Sequence, residues 1–364
     1  MARASSVGVA PVSKARHIVL AGNPNSGKTT LFNALTGLRA KVGNYPGVTV
    51  ERKEGRLLGS TAKDPVVVLD LPGTYSLSPQ SLDEQVARDV LLHRLPEVPP
   101  PDVVVVVVDA SNLQRNLYFT SQVIELGYPT VVALNMVDVA ENNGHAIDAA
   151  ALAGQLGVPV VPLIASQGQG VPELRRQLLE FGIAPRDDAH GASDKNANSG
   201  LNLKPRTTCL VCAELPPAFD RELSELTVLL GKAFPGQRHA ARAEALLLLS
   251  DEKALERSQG HYPEAIRTVV GPARARLEKA DIDWRSAAIE ARYRRIAEIQ
   301  ETVTRETLVN QATLSDRLDR LLTHKFWGLV IFVGIMALMF QSIFSFAELP
   351  MNGLVPETVL ALRR

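Results

Sequence analysis

The sequence predicts an α/β fold: a doubly wound, mainly parallel sheet, followed by an all-α helical domain and one transmembrane helix. Three observations predict it. Short apolar runs alternate with amphipathic stretches from residue 17 to 181, as in β-α units. The composition from about 213 to 322 then turns to Ala, Leu, Glu and Arg with helical spacing. Finally, residues 326–347 form a run of 22 residues without a charge.

The apolar runs that predict strands are 17–21, 65–70, 103–109, 130–135 and 158–163. The amphipathic stretches that predict helices are 28–38, 82–95, 113–127, 147–156 and 171–181. A strand of six consecutive valines, Val103 to Val108, has no polar face that could be exposed to solvent. We therefore expect that strand to be central and covered by helices on both sides.

Composition excludes several classes of protein. The 364 residues suffice for two domains, and 46% hydrophobic with 21% charged residues excludes disordered and collagen-like chains. Lys plus Arg (39) balances Asp plus Glu (39), so a nucleic-acid partner is disfavoured. The only cysteines, Cys209 and Cys212, give no disulfide framework. One Cys-x-x-Cys pair is half a zinc site, and we interpret it as incidental thiols.

The chain divides into segments by composition. We predict a flexible arm at 1–14, a nucleotide-binding domain at 15–183, a linker at 184–212, a helical domain at 213–322, a transmembrane helix at 326–347 and a tail at 348–364.

As a helix, 326–347 would be about 33 Å long, enough for a hydrocarbon core of about 30 Å. The alternative is a buried core helix. Arg317, Arg320 and Lys325 precede the run and Glu348 follows it, so the positive-inside rule keeps residues 1–325 cytoplasmic. One span near the end indicates either a tail-anchored protein or a larger membrane protein cut after its first helix.

A phosphate-binding loop follows the first predicted strand. The segment GNPNSGKT, from Gly22 to Thr29, opens a helix, so its backbone N–H groups and the helix dipole favour phosphate. Lys28 would reach the β and γ phosphates, and Thr29 would offer its hydroxyl to Mg²⁺. The candidate phosphate-binding residues are Gly22, Asn23, Pro24, Asn25, Ser26, Gly27, Lys28, Thr29 and Thr30.

Two further motifs follow later strands. Asp70 and Gly73 of DLPG lie at the carboxyl edge of the sheet, where Asp70 would hold Mg²⁺ and Gly73 would present its N–H to the γ-phosphate. In NMVD, from Asn135 through Met136 to Asp138, the amide would fix the nucleotide loops and the carboxylate would accept from guanine N1 and N2 hydrogens. Adenine lacks this donor pair, so the three motifs predict a GTPase with a Ras-like nucleotide-binding domain.

These residues resemble the N-terminal cytoplasmic part of the bacterial ferrous iron transport protein FeoB family. The similarity rests on GNPNSGKT, on NYPGVTVE (44–51), on DLPGTYSL (70–77), on NMVD and on a helical domain leading into a first membrane helix. It covers nearly the whole chain, although the further membrane helices of the family are absent.

The resemblance implies roles at matching positions. Thr49 corresponds to the switch I threonine, which with Gly47 and Val48 would contact the γ-phosphate and Mg²⁺ in the GTP state. Asn25 corresponds to the asparagine that helps hold K⁺ against the phosphates, so potassium stimulation is expected. Thr74 stands where Ras-like proteins have a water-orienting glutamine, so a slow intrinsic rate is expected.

The fifth nucleotide motif departs from the family, because Ile164 replaces its usual serine. Ala165 would still give its N–H to the guanine O6, while Ile164 places the exchange rate in question. The helical domain would modulate nucleotide release; from the residues alone, a passive spacer fits equally.

The sequence thus predicts a GTP-hydrolysing regulatory module of a ferrous iron transporter in the bacterial inner membrane. GTP/GDP, Mg²⁺ and K⁺ are the expected cofactors, and Fe²⁺ is the transported substrate of the full-length family protein. Expected partners are the membrane and the remaining transporter helices or small accessory proteins, with a homo-oligomer left open. The alternatives are a GTPase of ribosome assembly or RNA modification and a membrane-tethered switch without a transport role.

Overall fold

The computed structural model describes residues 15–45, 48–181, 214–258, 260–306, 318 and 321–353, with side chains up to residue 342. The predicted arm at 1–14, Gly47 and the linker at 184–212 with its two cysteines lie outside these ranges. The chain divides into two compact units, Met1–Thr307 and Leu308–Arg364.

A seven-stranded sheet organises the first unit. Its strands are β1 (Arg16–Gly22), β2 (Ala40–Asn44), β3 (Glu51–Arg56), β4 (Val66–Asp70), β5 (Val103–Asp109), β6 (Thr130–Asn135) and β8 (Val160–Pro162), with β7 (His145–Ile147) lying apart. The strand order is β2-β3-β4-β1-β5-β6-β8. β2, β3 and β4 pair antiparallel and all other neighbours pair parallel, so the predicted mainly parallel sheet is confirmed.

The valine strand β5 lies in the interior of the sheet, between β1 and β6, and is covered on both faces as predicted. Val104, Val106 and Val108 pack into one apolar core, and the three intervening valines pack into the core on the other face. All six side chains are at most 1% exposed. Alternation along a pleated strand sends successive side chains to opposite faces, so only a strand covered on both sides accommodates this run.

Helices cover both faces of the sheet. They are α1 (Lys28–Thr36), α2 (Leu82–Leu91), α3 (Leu113–Glu125), α4 (Val137–Asn142), α5 (Ala149–Leu156) and α6 (Val171–Glu180). α1 and α6 contribute to one core, and α2, α3 and α5 to the other. Five of these helices were predicted; the short α4 was not.

The sequence pattern also missed the antiparallel edge, β2 and β3. β3 reads ERKEGR and β2 is exposed throughout, so neither carries the apolar alternation that predicts a strand. β3 is held by pairing with buried β4, with Gly55 opposite Val68. A Cβ at Gly55 would lie 2.5 Å from Thr36, which explains the glycine there.

The helical part comprises α7 (Pro217–Ala233), α8 (Ala241–Ser250), α9 (Ala254–Arg257), α10 (Glu264–Lys279) and α11 (Ala287–Val303). It has its own apolar core, which includes Leu223, Leu226 and Leu230. Four apolar residues of α11 recur at helical spacing; of these, Ile296 and Ile299 are buried, whereas Ile289 and Tyr293 are more than 40% exposed.

The nucleotide-binding and helical parts belong to one compact unit. Ile296, Ile299 and Val303 enter the core on one face of the sheet. The chain then leaves α11 as β9 (Thr304–Glu306), which pairs antiparallel with β7. Within the predicted helical domain, Thr304–Glu306 are therefore a strand and not helix, because they form a two-stranded sheet with β7 of the nucleotide-binding part.

The second unit contains α12 (Trp327–Gly353), which continues six residues beyond the predicted span and into the predicted tail. Among the residues described, no helix combines the length and apolarity needed to span a bilayer. The membrane span over 326–347 is thus unconfirmed and remains a prediction.

Candidate nucleotide-binding site

The loop between β1 and α1 has the backbone of an anion-binding turn. Asn25 (φ 63°) and Gly27 (φ 88°) are left-handed, which turns successive N–H groups to one side. A Cβ at Gly27 would lie 2.2 Å from the Asn135 Nδ2 atom, so glycine is required both by conformation and by space. Asn25, Thr29 and Thr30 are exposed at the mouth of this loop.

Lys28 is buried inside the loop rather than extended into solvent, being 8% exposed. Its Nζ donates to the carbonyl oxygens of Gly22 and Asn23, each at 3.1 Å. Burial lowers the pKa of Lys28, and the nearby Asp70 carboxylate opposes that shift. The ammonium is thereby held inside the loop, and its contact with phosphate stays a prediction.

Asp70 ends β4 and is 8% exposed. Its Oδ1 is buried and has no hydrogen-bond partner among the residues that the structure describes. Burial raises the pKa of Asp70, while Lys28, Lys53 and a hydrogen bond with the Thr29 side chain act in the opposite direction. A buried carboxylate oxygen without such a partner, beside a hydroxyl, is a donor set that fits Mg²⁺.

The loop after Asp70 packs directly on the phosphate-binding loop. A Cβ at Gly73 would lie 3.0 Å from Pro24 atoms, and the Thr74 N–H donates to the Gly22 carbonyl at 3.2 Å. The Thr74 hydroxyl donates to the Ser76 carbonyl at 2.8 Å, and Thr74 is 1% exposed. The hydroxyl of Thr74 therefore bonds within its own loop.

Asn135 links the loop between β1 and α1 to the loop after β8. Its Nδ2 donates to the Ser26 carbonyl at 2.9 Å, and its Oδ1 accepts from the Ala165 N–H at 2.9 Å. The Ala165 N–H thus meets Asn135 within the protein, and its contact with guanine O6 stays a prediction. Met136 is left-handed (φ 60°), and Asp138 follows half-buried in the first turn of α4.

Tyr45, which the sequence analysis did not single out, anchors the residues on either side of Thr49, the predicted switch I threonine. Tyr45 is 1% exposed, its N–H donates to the Val50 carbonyl at 2.9 Å, and burial raises its pKa. Its carbonyl accepts from the Val48 N–H at 3.3 Å. Thr49 lies exposed between these contacts, so its role in a Mg²⁺ site stays a prediction.

Helix α3 carries further residues that the motifs missed. The Arg115 carbonyl accepts from Asn23 Nδ2 at 3.2 Å, and Gln122 Oε1 accepts from the Leu77 N–H at 2.9 Å. Asn116, Thr120, Ser121, Gln122 and Glu125 are all buried. So many polar residues on one helix ordinarily predict a solvent-exposed face, which is why the sequence did not reveal that they are buried. The one feature that could have pointed to them is that they recur at helical spacing.

Comparisons with known proteins identify relatives of this chain. The family model for ferrous iron transport protein B matches residues 16–178. The Fe(2+) transporter FeoB of Salmonella typhimurium is 38% identical over 327 residues, which are 89% of this chain and 38% of that protein. A Porphyromonas gingivalis Fe(2+) transport protein A/Fe(2+) transporter FeoB fusion protein is 35% identical over 355 residues, or 94% of this chain and 38% of that one.

A solved structure extends the similarity to the fold. The crystal structure of NFeoB from S. thermophilus bound to GDP·AlF₄⁻ and K⁺ has a TM-score of 0.61 and 33% identity, covering 79% of this chain and 99% of that one. The chain spans 38% of the length of the two curated relatives. It belongs to the ferrous iron transport protein B (FeoB) family and corresponds to the N-terminal GTPase region of its members.

Proposed function

We propose that this chain binds GTP with Mg²⁺ and hydrolyses it to GDP and phosphate, as the regulatory module of a ferrous iron transporter. The observation that carries the proposal is the Asn135 bridge, which joins the phosphate-binding loop at Ser26 to the base-side loop at Ala165. One amide thereby holds together the two loops that carry the phosphate and base residues in this proposal, with Asp138 three residues further on.

The residues have distinct parts in hydrolysis. Lys28 stabilises the charge of the β and γ phosphates, and Gly73 offers its N–H to the γ-phosphate. Thr29, Asp70 and Thr49 would hold Mg²⁺, which neutralises phosphate charge when bound. A water oxygen attacks the γ-phosphorus, and the bond to the β-phosphate oxygen breaks to leave GDP.

The attacking water is oriented by backbone groups in this proposal. Thr74 is buried and its hydroxyl is already donated to the Ser76 carbonyl. It therefore has no free donor with which to replace a water-orienting glutamine. We expect the intrinsic rate to be slow for this reason.

Potassium is the proposed substitute for an activating cation. The side chain of Asn25 is exposed on a left-handed residue of the phosphate-binding loop, where a monovalent cation can approach it together with the phosphates. The S. thermophilus relative is described with GDP·AlF₄⁻ and K⁺. We propose the same cation requirement here.

The test compares GTP hydrolysis by the 364-residue chain in potassium and in sodium buffer, with Asn25→Ala and with ATP as substrate. We expect potassium to stimulate GTP hydrolysis, Asn25→Ala to remove the stimulation and ATP to be a poor substrate. Equal rates in both salts would refute the cation role, and equal use of ATP would refute the assignment of guanine specificity.

For the full-length protein we propose a bacterial inner-membrane transporter, with residues 1–325 in the cytoplasm and 326–347 as the first membrane helix. The accessory partner we propose is transport protein A, because that protein is fused to the FeoB relative of P. gingivalis. One helix cannot enclose an ion pathway, so uptake of Fe²⁺ into liposomes that contain this chain alone should fail.

A further inference from the structure

We propose that Arg115, at the start of α3, is a positioning residue for GTP hydrolysis: it holds the loop after β4 against the phosphate-binding loop. This inference rests on the proposed GTPase activity. It concerns a residue outside all the nucleotide motifs, and it acts through Tyr75 and Asn23 rather than by touching the nucleotide.

Arg115 contacts both loops at once. Its guanidinium carbon lies 4.1 Å from the centroid of the Tyr75 ring, a close cation–π stack. Its carbonyl accepts a hydrogen bond from Asn23 Nδ2 at 3.2 Å. Because Asn23 belongs to the phosphate-binding loop and Tyr75 to the loop after β4, one residue of α3 sets their relative position.

The position of Tyr75 affects the phosphate-binding loop through the two residues that precede it, Thr74 and Gly73. Thr74, its neighbour, donates its N–H to the Gly22 carbonyl at 3.2 Å. Gly73, the residue before, packs so closely on Pro24 that a Cβ would lie 3.0 Å from it. A shift of the Tyr75 ring therefore moves the Gly73 amide, which is the group proposed to meet the γ-phosphate.

Arg115 is itself fixed to the sheet. The next residue, Asn116, is buried; its Oδ1 accepts from the Asp109 N–H at 3.2 Å and its Nδ2 donates to the Asn112 carbonyl at 2.9 Å. These bonds tie the first turn of α3 to the end of β5. The guanidinium of Arg115 thus extends from a rigid base.

A second contact on α3 points in the same direction. Gln122, seven residues or about two helical turns after Arg115, accepts from the Leu77 N–H at 2.9 Å. The loop after β4 is therefore attached to α3 at Tyr75 and at Leu77. The first attachment is exposed, with Tyr75 at 38%, and the second is buried, so the first can be removed without opening a core.

The experiment measures kcat, KM for GTP, affinity for GDP, affinity for GDP with aluminium fluoride, and the thermal midpoint. The variants are Arg115→Ala, Arg115→Lys, Tyr75→Ala, Tyr75→Phe and the double Arg115→Ala/Tyr75→Ala. The matched control is Gln114→Ala, an exposed neighbour on the same helix.

We expect Arg115→Ala and Tyr75→Ala each to lower kcat about two- to fivefold, the range of an exposed cation–π contact. Affinity for GDP with aluminium fluoride should fall in parallel, while GDP affinity and the thermal midpoint stay unchanged. The double variant should be no slower than either single variant. Tyr75→Phe should retain the wild-type rate, and Arg115→Lys should retain part of it.

Three results would overturn the proposal: an unchanged kcat in Arg115→Ala, additive losses in the double variant, or a fall in the thermal midpoint that matches the loss of rate. The rate of GTP hydrolysis by the wild-type chain shows whether the proposal for Arg115 or the proposed GTPase function has failed. A wild-type chain that hydrolyses no GTP removes the proposed function, whereas an active wild type with an equally active Arg115→Ala removes only the role of Arg115.

Discussion

Arg292 of α11 is buried against Glu125 of α3, with Nη2 2.6 Å from Oε2 and both side chains at most 4% exposed. Its Nη1 donates to the Ser121 hydroxyl at 2.6 Å. Beside this pair, the Tyr118 and Tyr293 rings stack with centroids 5.0 Å apart. The helical part is thus joined to the helix that also holds the loop after β4.

Removal of one partner of this pair should destabilise the protein strongly. Arg292→Ala removes the ion pair with Glu125 and the hydrogen bond to Ser121 from a buried site, so we expect a loss of about 3–5 kcal/mol in the free energy of unfolding. Denaturation by urea measures it. The double variant Arg292→Met/Glu125→Met should recover most of the loss, since it removes both charges.

The matched control for Arg292 is Arg294→Ala on the same helix, whose ion pair with Glu214 is exposed. It should leave the unfolding midpoint unchanged, because solvent-exposed pairs contribute little. A midpoint in Arg292→Ala equal to that of the control would contradict the importance of the buried pair.

Asp70 should make stability depend on pH in the absence of Mg²⁺ and nucleotide. Burial raises the pKa of Asp70 above its usual 3.8, so above that pH the folded state keeps a proton that the unfolded state has released. Stability then falls as pH rises from 3.8 through the folded-state pKa. Thermal unfolding as a function of pH should show this fall in the wild type and less of it in Asp70→Asn.

Asp83→Asn, at an exposed site in α2, should keep the wild-type pH profile and so serves as the control for Asp70→Asn. Mg²⁺ with GDP should flatten the wild-type profile, because a bound cation favours the ionised carboxylate. Identical pH profiles for the wild type and Asp70→Asn would show that Asp70 is not the source of the pH dependence.

Glycine at position 27 should be indispensable for nucleotide binding. In Gly27→Ala the new Cβ would lie 2.2 Å from Asn135 Nδ2, so the Asn135 side chain must shift. The backbone of residue 27 is also left-handed, a conformation that alanine rarely adopts. We expect GDP affinity, measured by calorimetry, to fall at least about tenfold, or about 1.4 kcal/mol. An affinity within about twofold of wild type would show that the bridge is not needed.

A second glycine gives the matched control. Gly154 lies exposed inside α5 without a left-handed backbone, and no atom of the described residues lies within 4 Å of the position that a Cβ would take there. Gly154→Ala should leave GDP affinity unchanged and raise the free energy of unfolding by about 0.5–1 kcal/mol, since alanine has the higher helix propensity.

Asp138 should determine the choice of base. The carboxylate accepts from both the N1 and N2 hydrogens of guanine in the proposed complex, whereas xanthine carries a carbonyl oxygen at C2. Asp138→Asn should therefore weaken GDP binding and strengthen binding of xanthosine diphosphate. Titration of both nucleotides measures the exchange; unchanged preference for GDP would exclude Asp138 from base recognition.

The parallel strands were predictable because each lies in an apolar run, and the interior strands β5 and β6 are buried almost throughout. Val103–Asp109 and Thr130–Asn135 were predicted with the bounds that the structure has. β2, β3 and β9 were not, because charged and exposed residues form strands only where a neighbouring strand supplies the hydrogen bonds. Their partners lie elsewhere in the chain, so local pattern carries no sign of them.

The candidate site divides in the same way. The sequence by itself determined the loop that ends in Lys28, Asp70 at a strand end and the order of the three nucleotide motifs, because spacing and residue type specify such local chemistry. Only the tertiary structure decided that Ala165 donates to Asn135, that Arg115 joins two loops and that Arg292 is buried against Glu125. These contacts join residues 30 to 167 positions apart, and their partners are chosen by packing of whole elements.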